Sequence, residues 1–440
     1  MPDSDPAEFV EHAWRSCGQR DPVSRASLAD LTTYLPCDLL TKVDIATMAH
    51  GLECRQPLLD HRIVELAAGM PAAMKRRGVQ ILREGKRAFV VVADKISRFI
   101  PNPTFDPVIV PGSIELLFRG EVPAGVDPRT LTQVEALHAE YQDRTSRLAV
   151  MDEQGLSATL LFPTLGVGVE QCLRHDPEAT MACLSSFNRW LEEDWGFAHQ
   201  DRIFAAPLLS LADPDAALVE LRSLLERGAK LVHVRPAPVP SAFGPRSLGH
   251  REHDRVWAAI AEAGIPVAFH LGDSGYLTYS AAWGGKSEFE PFGAADPLDG
   301  ILVDDRAIYD SMASLIVHGV FHRHPKLRVA SIENGSDWVA PLAKKLRKKA
   351  NQMPQAFPED PLEVLRRNVW VTPYYEEDLR ALADLIGVDR ILFGSDWPHG
   401  EGLAHPVDFK KELDGFSDGE IRKIMRDNAR ALLGDVEVSD

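Results

Sequence analysis

The sequence predicts an α/β protein: a distorted (β/α)8 TIM-like barrel whose first strand is missing or replaced, preceded by a short helical segment. Two observations support this. Beyond residue 145, short runs of branched apolar residues alternate with amphipathic segments, which is typical of repeated βα units. Polar residues also follow the carboxyl ends of those runs, where a parallel barrel collects its functional side chains. A doubly wound open sheet is the alternative reading of the same pattern.

Each element follows from its local pattern. The apolar runs predict seven strands, at 158–164, 203–209, 230–236, 265–271, 328–334, 368–374 and 390–396. The amphipathic segments predict helices at 177–195, 214–226, 252–263, 304–320, 376–386 and 418–433. The last helix follows Ser417 with Glu420 three residues on, which is the spacing of a capping box.

Composition excludes several classes of function. The chain has 440 residues, 45% of them hydrophobic, and a formal net charge of −17, which disfavours nucleic acid and acidic membranes as partners. No run is long enough to span a membrane and the N-terminus lacks signal-peptide features, so we expect a cytoplasmic protein. The five cysteines form no CxxC pair. We expect a small-molecule substrate and a homo-oligomer.

The predicted strands end on side chains that suit metal chemistry. These strand-end residues are His233, Arg235, His270, Glu333 and Asp396. Zinc accepts imidazole nitrogen and carboxylate oxygen, so His270 and Asp396 are the candidate metal ligands. Arg235 and His233, with His399 in the last loop, are the candidates for binding an acidic substrate group. For any one of these residues, a helix cap or a solvated loop position is the alternative reading.

The stretches SRFIPNPTFDPV, VAFHLGD, HPKLRVASIENGSDW and ILFGSDWPHGEG make residues 77–435 resemble the amidohydrolase-related (amidohydrolase 2) proteins. This group includes aminocarboxymuconate semialdehyde decarboxylase and related nonoxidative decarboxylases. The resemblance implies a distorted barrel with one divalent metal, zinc with manganese as the alternative. It places His270 at the metal-ligand histidine after strand five and Asp396 at the aspartate after strand eight.

Two features depart from the family pattern. Glu333 stands where the decarboxylases carry a catalytic histidine, and it is expected either to act as a general base or to make a structural hydrogen bond. His318 is a minor catalytic candidate, with packing or capping as its expected role. The metal-ligand pair of the family's first strand is absent upstream of Gly78. We therefore expect the loss of this pair to impair metal binding and turnover.

The N-terminal segment has a different resemblance. Residues 34–71 contain LPCDLLTKVD and LECRQPLLD, and are similar to the synthetase domain of glutamine-dependent asparagine synthetase. The phosphate-binding loop of that family is absent from the chain, which argues against ATP chemistry. We predict a chimera: a helical fragment at 1–76, with helices near 28–50 and 60–70, joined to a barrel domain at 77–440. An irregular, proline-rich insertion spans 79–140, and residues 87–93 are expected to form a hairpin over the mouth rather than a substitute first strand.

Three functions remain open. The first is a metal-dependent hydrolase or nonoxidative decarboxylase acting on a small carboxylated or cyclic substrate, with His270, Glu333 and Asp396 as catalytic residues. The second is an inactive relic of the same fold. The third, an amide ligase, is disfavoured by the missing phosphate loop.

Overall fold

The computed structural model describes residues 14–16, 78–84, 87–93, 95–97, 106–163, 166–241, 244–287 and 296–434. The chain divides into two compact units, Met1–Gln80 and Ile81–Asp440. In the first unit, the described residues are a helical stretch at 14–16 and residues 78–80. The helices predicted near 28–50 and 60–70 lie outside the described residues.

The second unit carries most of the described strands. The strands are β1 Val79–Glu84, β2 Arg87–Val92, β3 Lys95–Ile96, β4 Val108–Ile109, β5 Val134–Glu135, β6 Thr159–Leu161, β7 Ile203–Ala205, β8 Val232–His233, β9 Val267–His270, β10 Val329–Ile332 and β11 Val369–Val371. The last six match six of the seven predicted strands, and each is shorter than predicted.

Strands β6 to β11 run parallel, in the order in which they occur in the chain. β6 pairs with β7, and a parallel bridge from Leu208 to His233 connects β7 to β8. β8, β9, β10 and β11 then pair in succession, and a parallel bridge from Val371 to Ile391 adds the seventh predicted strand. This order is that of a TIM barrel, not of a doubly wound sheet. A missing first strand stays a prediction, because residues upstream of Gly78 fall almost entirely outside the described chain.

The helices alternate with these strands. They are α1 Glu115–Phe118, α2 Arg144–Glu153, α3 Val169–Cys172, α4 Pro177–Asp194, α5 Pro214–Glu226, α6 Asp254–Ala263, α7 Leu277–Ala282, α8 Pro297–Val303, α9 Arg306–Val317, α10 Val320–Arg323, α11 Val339–Gln352, α12 Pro361–Asn368, α13 Leu379–Ile386, α14 Asp418–Arg422 and α15 Asn428–Leu433. Short 3-10 turns occupy Pro128–Thr130, Ala139–Tyr141, Gly166–Gly168, Arg251–His253, Pro354–Ala356, Val388–Arg390 and Pro406–Glu412, and a π turn at Lys423–Asp427 separates α14 from α15.

Side-chain caps explain where these helices begin. An aspartate accepts a hydrogen bond from a free backbone N–H at the start of six helices, through Asp143, Asp176, Asp213, Asp296, Asp360 and Asp378. Proline follows four of these caps, where its missing N–H costs nothing. The predicted capping box of Ser417 and Glu420 is confirmed.

Alternation along the strands separates two buried clusters. Phe204, Ala268, Ala330, Trp370 and Leu392 belong to a cluster made mainly of strand residues and closed by Leu432 and Leu433 of α15. Their sequence neighbours, such as Ile203, Val267 and Val329, instead pack in the larger cluster with the helices. Successive strand side chains point to opposite faces, so the first cluster fills the barrel interior and the second lies between strands and helices.

The described residues between 79 and 140 form short strands, one short helix and 3-10 turns. β1, β2 and β3 form a three-stranded sheet, with β2 and β3 antiparallel, so residues 87–93 belong to a hairpin rather than to the parallel array. Residues 166–170 contain a 3-10 turn and the start of α3. Within the described parts of the chain, no helix is both long and apolar enough to cross a membrane.

Candidate active site

The side chains expected at the site project from the inner face of the barrel. Ala268 faces the interior, so His270, two residues on along β9, faces the same way. His233 pairs in register with Ala268 and shares this face. The ring of Phe162 packs beside that of His270, with 5.2 Å between their centroids. The carboxyl ends of the strands therefore bring imidazole groups to one end of the barrel.

His270 and Glu333 are in direct contact. The Nε2 atom of His270 lies 2.6 Å from an Oε2 oxygen of Glu333. The opposite ring nitrogen, Nδ1, donates a hydrogen bond of 2.6 Å to the Leu271 carbonyl, which fixes the orientation of the imidazole. Glu333 follows β10, the neighbour of β9, and its carboxylate therefore reaches across one strand spacing to the histidine.

The last loop supplies the other two charged groups. Asp396 follows the Ile391 strand segment, and its Oδ1 lies 2.9 Å from Nδ1 of His399. Ligand atoms of Glu333, Asp396 and His399 lie within 4.8 Å of one another. We refer to these three residues with His270 as the charged cluster. All four side chains are partly exposed, so a ligand can reach them.

Two members of the charged cluster have strained backbones. Glu333 has φ of 56° and Asp396 has φ of 53°, in the left-handed region that side chains with a Cβ rarely adopt. Such conformations cost on the order of 1–3 kcal/mol each and persist where surrounding structure enforces them, often at functional sites. With these backbone conformations, both carboxylates lie in the charged cluster at the carboxyl ends of the strands.

The electrostatics of the charged cluster are balanced. Burial raises the pKa of a carboxyl group, yet His270 and His399 hold the pKa of Glu333 below its ordinary value. Burial and the charge of Glu333 raise the pKa of Asp396 to about 6. Burial alone would lower the pKa of both imidazoles, but the carboxylates outweigh it and raise both, that of His399 to about 10. At neutral pH, two carboxylates therefore face the protonated imidazole of His399, and they also favour the protonated form of His270.

A divalent metal fits this cluster. Two carboxylates and one imidazole, from Glu333, Asp396 and His399, form an oxygen and nitrogen donor set that suits zinc or manganese. A divalent cation would take the place of the imidazole protons as the positive charge between the carboxylates. His270, an expected ligand, contacts Glu333 with its Nε2 and would join the donor set only by exchanging that contact for the ion. Asp396, the other expected ligand, belongs to the donor set by geometry, and its role as a ligand stays a prediction.

His233 and Arg235 lie deeper, in a polar group around a small cavity. The Arg235 guanidinium donates 2.6 Å to Gln171 Oε1 and 3.2 Å to the Pro238 carbonyl, and it lies 3.9 Å from Glu170. Ser210 donates to the other oxygen of Glu170. Burial, then the charge of His270, lowers the pKa of His233 to about 3, so its imidazole is neutral. These contacts already engage Arg235 within the protein.

Sequence reasoning missed several side chains that support the cluster. The Tyr374 hydroxyl donates 3.0 Å to the Glu333 carbonyl and so holds the strained residue. Glu377 accepts hydrogen bonds from the backbone N–H of Ser336 and of Tyr374, tying the segments that follow β10 and β11 together. Their one detectable signal is that Tyr374 ends the predicted strand at 368–374 and that Ser336 and Glu377 lie within three residues of a predicted strand end. His318 caps the end of α9 and contacts Ser247, which is its expected structural role.

Comparison with known proteins connects this site to a family. Residues 137–434 match the amidohydrolase family model. A crystal structure of an amidohydrolase from Mycobacterium avium subsp. paratuberculosis K-10 is similar at 62% identity and a TM-score of 0.80, covering 85% of this chain and 95% of that one. An amidohydrolase from Staphylococcus aureus, at 18% identity and a TM-score of 0.50, covers 66% of this chain and 91% of its own, and shows the fold alone.

The N-terminal region matches a second family. Residues 4–101 match the asparagine synthase model. A glutamine-hydrolysing asparagine synthetase of Mycobacterium tuberculosis is 46% identical over 55 residues, which are 12% of this chain and 8% of that protein. The predicted resemblance of the N-terminal fragment is thereby confirmed at the level of sequence, over a small part of the synthetase.

Proposed function

Because the chain belongs to the amidohydrolase family, we propose that it is a divalent-metal-dependent enzyme that hydrolyses a small carboxylated or cyclic substrate. The observation that carries this proposal is the convergence of Glu333, Asp396 and His399 within 4.8 Å, with His270 at 2.6 Å from Glu333. Hydrolysis is favoured over decarboxylation because a carboxylate at position 333 suits proton abstraction from water. Zinc is the proposed metal, with manganese as the alternative.

Each residue of the charged cluster has a proposed role. Asp396, His399 and Glu333 would hold a divalent cation, which would supply Lewis acidity and lower the pKa of water toward about 7. Glu333 has a low pKa and is ionised at neutral pH, so it accepts a proton from the attacking water. One of its oxygens bonds His270, and this contact holds the carboxylate in place for the transfer. Glu333 then passes the proton taken from water to the leaving group, while His270 keeps its contact with the carboxylate.

A substrate screen tests this proposal. The full chain is assayed against small lactones, amides and aromatic carboxylic acids, and proton release is measured separately from carbon dioxide release. We expect proton release without carbon dioxide, lost after chelation and restored by zinc or manganese. Asp396→Asn should abolish turnover, whereas the exposed control Asp414→Asn should leave it unchanged. Turnover that survives chelation and Asp396→Asn would overturn the proposal. Carbon dioxide release would identify a decarboxylase instead. Metal-loaded protein without any turnover would identify a catalytically inactive protein with the same fold.

A further inference from the structure

Arg147 is a buried cation with no ion-pair partner among the described residues. Its side chain lies on helix α2 and the residue is 6% exposed. Among the described residues, no carboxylate or carbonyl accepts a hydrogen bond from its guanidinium. A guanidinium carries five N–H donors and stays charged in proteins. An anion at these N–H groups would supply the acceptors that the described residues do not.

The surroundings of Arg147 connect it to the charged cluster. Its guanidinium carbon lies 4.1 Å from the centre of the Trp397 ring, and Trp397 directly follows Asp396. The Tyr141 ring lies 5.6 Å from that of Trp397. Helix α2 leads through a short turn into β6, so its first turns lie toward the carboxyl end of that strand, where the site is.

The stacking geometry leaves the binding edge of Arg147 available. A guanidinium that lies over an indole uses its face, and its N–H groups point outward in the plane of the fork. A carboxylate matches two of those N–H groups in a paired arrangement. Burial lowers the pKa of Arg147 to about 10, with Tyr141 and Glu140 acting weakly in the opposite direction, so the side chain is still a cation at neutral pH.

We infer that Arg147 binds the carboxylate of the substrate through paired hydrogen bonds, with Trp397 holding the plane of the guanidinium. The inference rests on the proposed function only for identifying this ligand as the substrate. The rings of Trp397 and Tyr141 beside it favour a planar acid over an extended aliphatic one. If Arg147 had a purely structural role and only supported the loop that carries Trp397, the site would show no preference for an anion.

Benzoate is the probe, and benzamide is its neutral counterpart of the same shape. Binding of each is measured by calorimetry on the full chain after metal removal, so that no metal can hold the carboxylate. We expect benzoate to bind at least about 10-fold more tightly than benzamide, since charge-assisted hydrogen bonds are the strong ones. Arg147→Met should remove this preference. Arg144→Met, one turn earlier on the same helix and bonded to the Glu193 carbonyl, should retain it.

Arg147→Lys keeps the positive charge but lacks the paired N–H donors of the guanidinium. It provides a second variant if Arg147→Met fails to fold. We expect it to weaken benzoate binding about 10-fold or more and to leave benzamide binding unchanged. Equal binding of benzoate and benzamide to the wild type, or full benzoate binding by either Arg147 variant, would overturn the inference. Because the measurement is made without metal, its outcome is independent of whether the metal-dependent reaction is found.

Discussion

At the scale of single residues, the site is assembled by strand alternation and by two strained carboxylates. His270 could be predicted from the sequence because it ends a buried strand on the inner face, and Asp396 because an apolar run stops at it. The contact between His270 and Glu333 could not be predicted, since it depends on the pairing of β9 with β10. Arg147 was missed for the same reason: its burial against Trp397 joins positions 250 residues apart in the chain.

Replacing the proposed base tests the residue-scale mechanism. Glu333→Gln keeps the size and the oxygen atom of the side chain but removes its ability to accept a proton. We expect kcat to fall by about 100-fold or more, the usual range for loss of a general base, with the melting temperature nearly unchanged. The exposed control Glu363→Gln should turn over like the wild type. Unchanged turnover in Glu333→Gln would remove Glu333 from the mechanism.

At the scale of elements, helix starts were better predicted than strand lengths. A helix start depends on a capping residue close to it in the sequence. The start of helix α5 was therefore predicted to the residue, and the structure shows that Asp213 caps it. A strand ends where its neighbour stops pairing, which is not visible locally. The segment predicted at 390–396 therefore keeps one parallel bridge, at Ile391, before it turns into the loop that carries Asp396.

Close backbone packing holds this loop, and one glycine permits it. Leu403 donates a backbone hydrogen bond of 2.9 Å to the Ser395 carbonyl. A Cβ at Gly402 would lie 2.7 Å from the carbonyl oxygens of both Ser395 and Asp396. We expect Gly402→Ala to displace Asp396 and to weaken metal binding at least about 10-fold, a size typical of disturbed metal-ligand orientation.

Gly300→Ala is the matched control for this loop. A Cβ at Gly300 would meet nothing within 4 Å, and the residue lies in helix α8, where alanine is favoured. Metal titration of both variants, monitored by fluorescence or calorimetry, should show a loss for Gly402→Ala alone. Equal affinities in the two variants would mean that the loop tolerates the displacement or does not hold the ion.

At the scale of the whole molecule, two parts of the chain match two different families, and the predicted loss of the first strand would leave the barrel open. The amidohydrolase match begins at residue 137, and the asparagine synthase match ends at residue 101. The family's first strand would close the sheet between β6 and the Ile391 segment and would add two metal ligands. An open barrel leaves two strand edges unpaired. Replacement of the first strand stays a prediction from sequence motifs, because residues 1–76 lie almost entirely outside the described chain.

Restoring a first strand tests this view of the molecule. A variant in which a strand ending in an Asp-x-His pair replaces residues 1–76 should melt at a higher temperature and bind zinc more tightly. Closing the sheet accounts for the first effect, and the added ligands account for the second. A second variant with Asn-x-Gln in place of the pair should keep only the gain in melting temperature. If neither quantity rises, residues 1–76 already supply a strand and ligands, and His50 and His61 are the first positions to substitute.

The central claim is that the charged cluster holds a divalent metal, and equilibrium dialysis against zinc with metal analysis by mass spectrometry tests it most directly. We predict saturable binding of about one ion per wild-type chain, as in a mononuclear site, and a loss of affinity of at least about 10-fold in Asp396→Ala. His270→Ala shows whether His270 joins the ligands, because binding falls in that variant only if it does. A wild-type chain that stays without zinc at saturating concentration, or Asp396→Ala binding zinc as tightly as the wild type, would contradict the account.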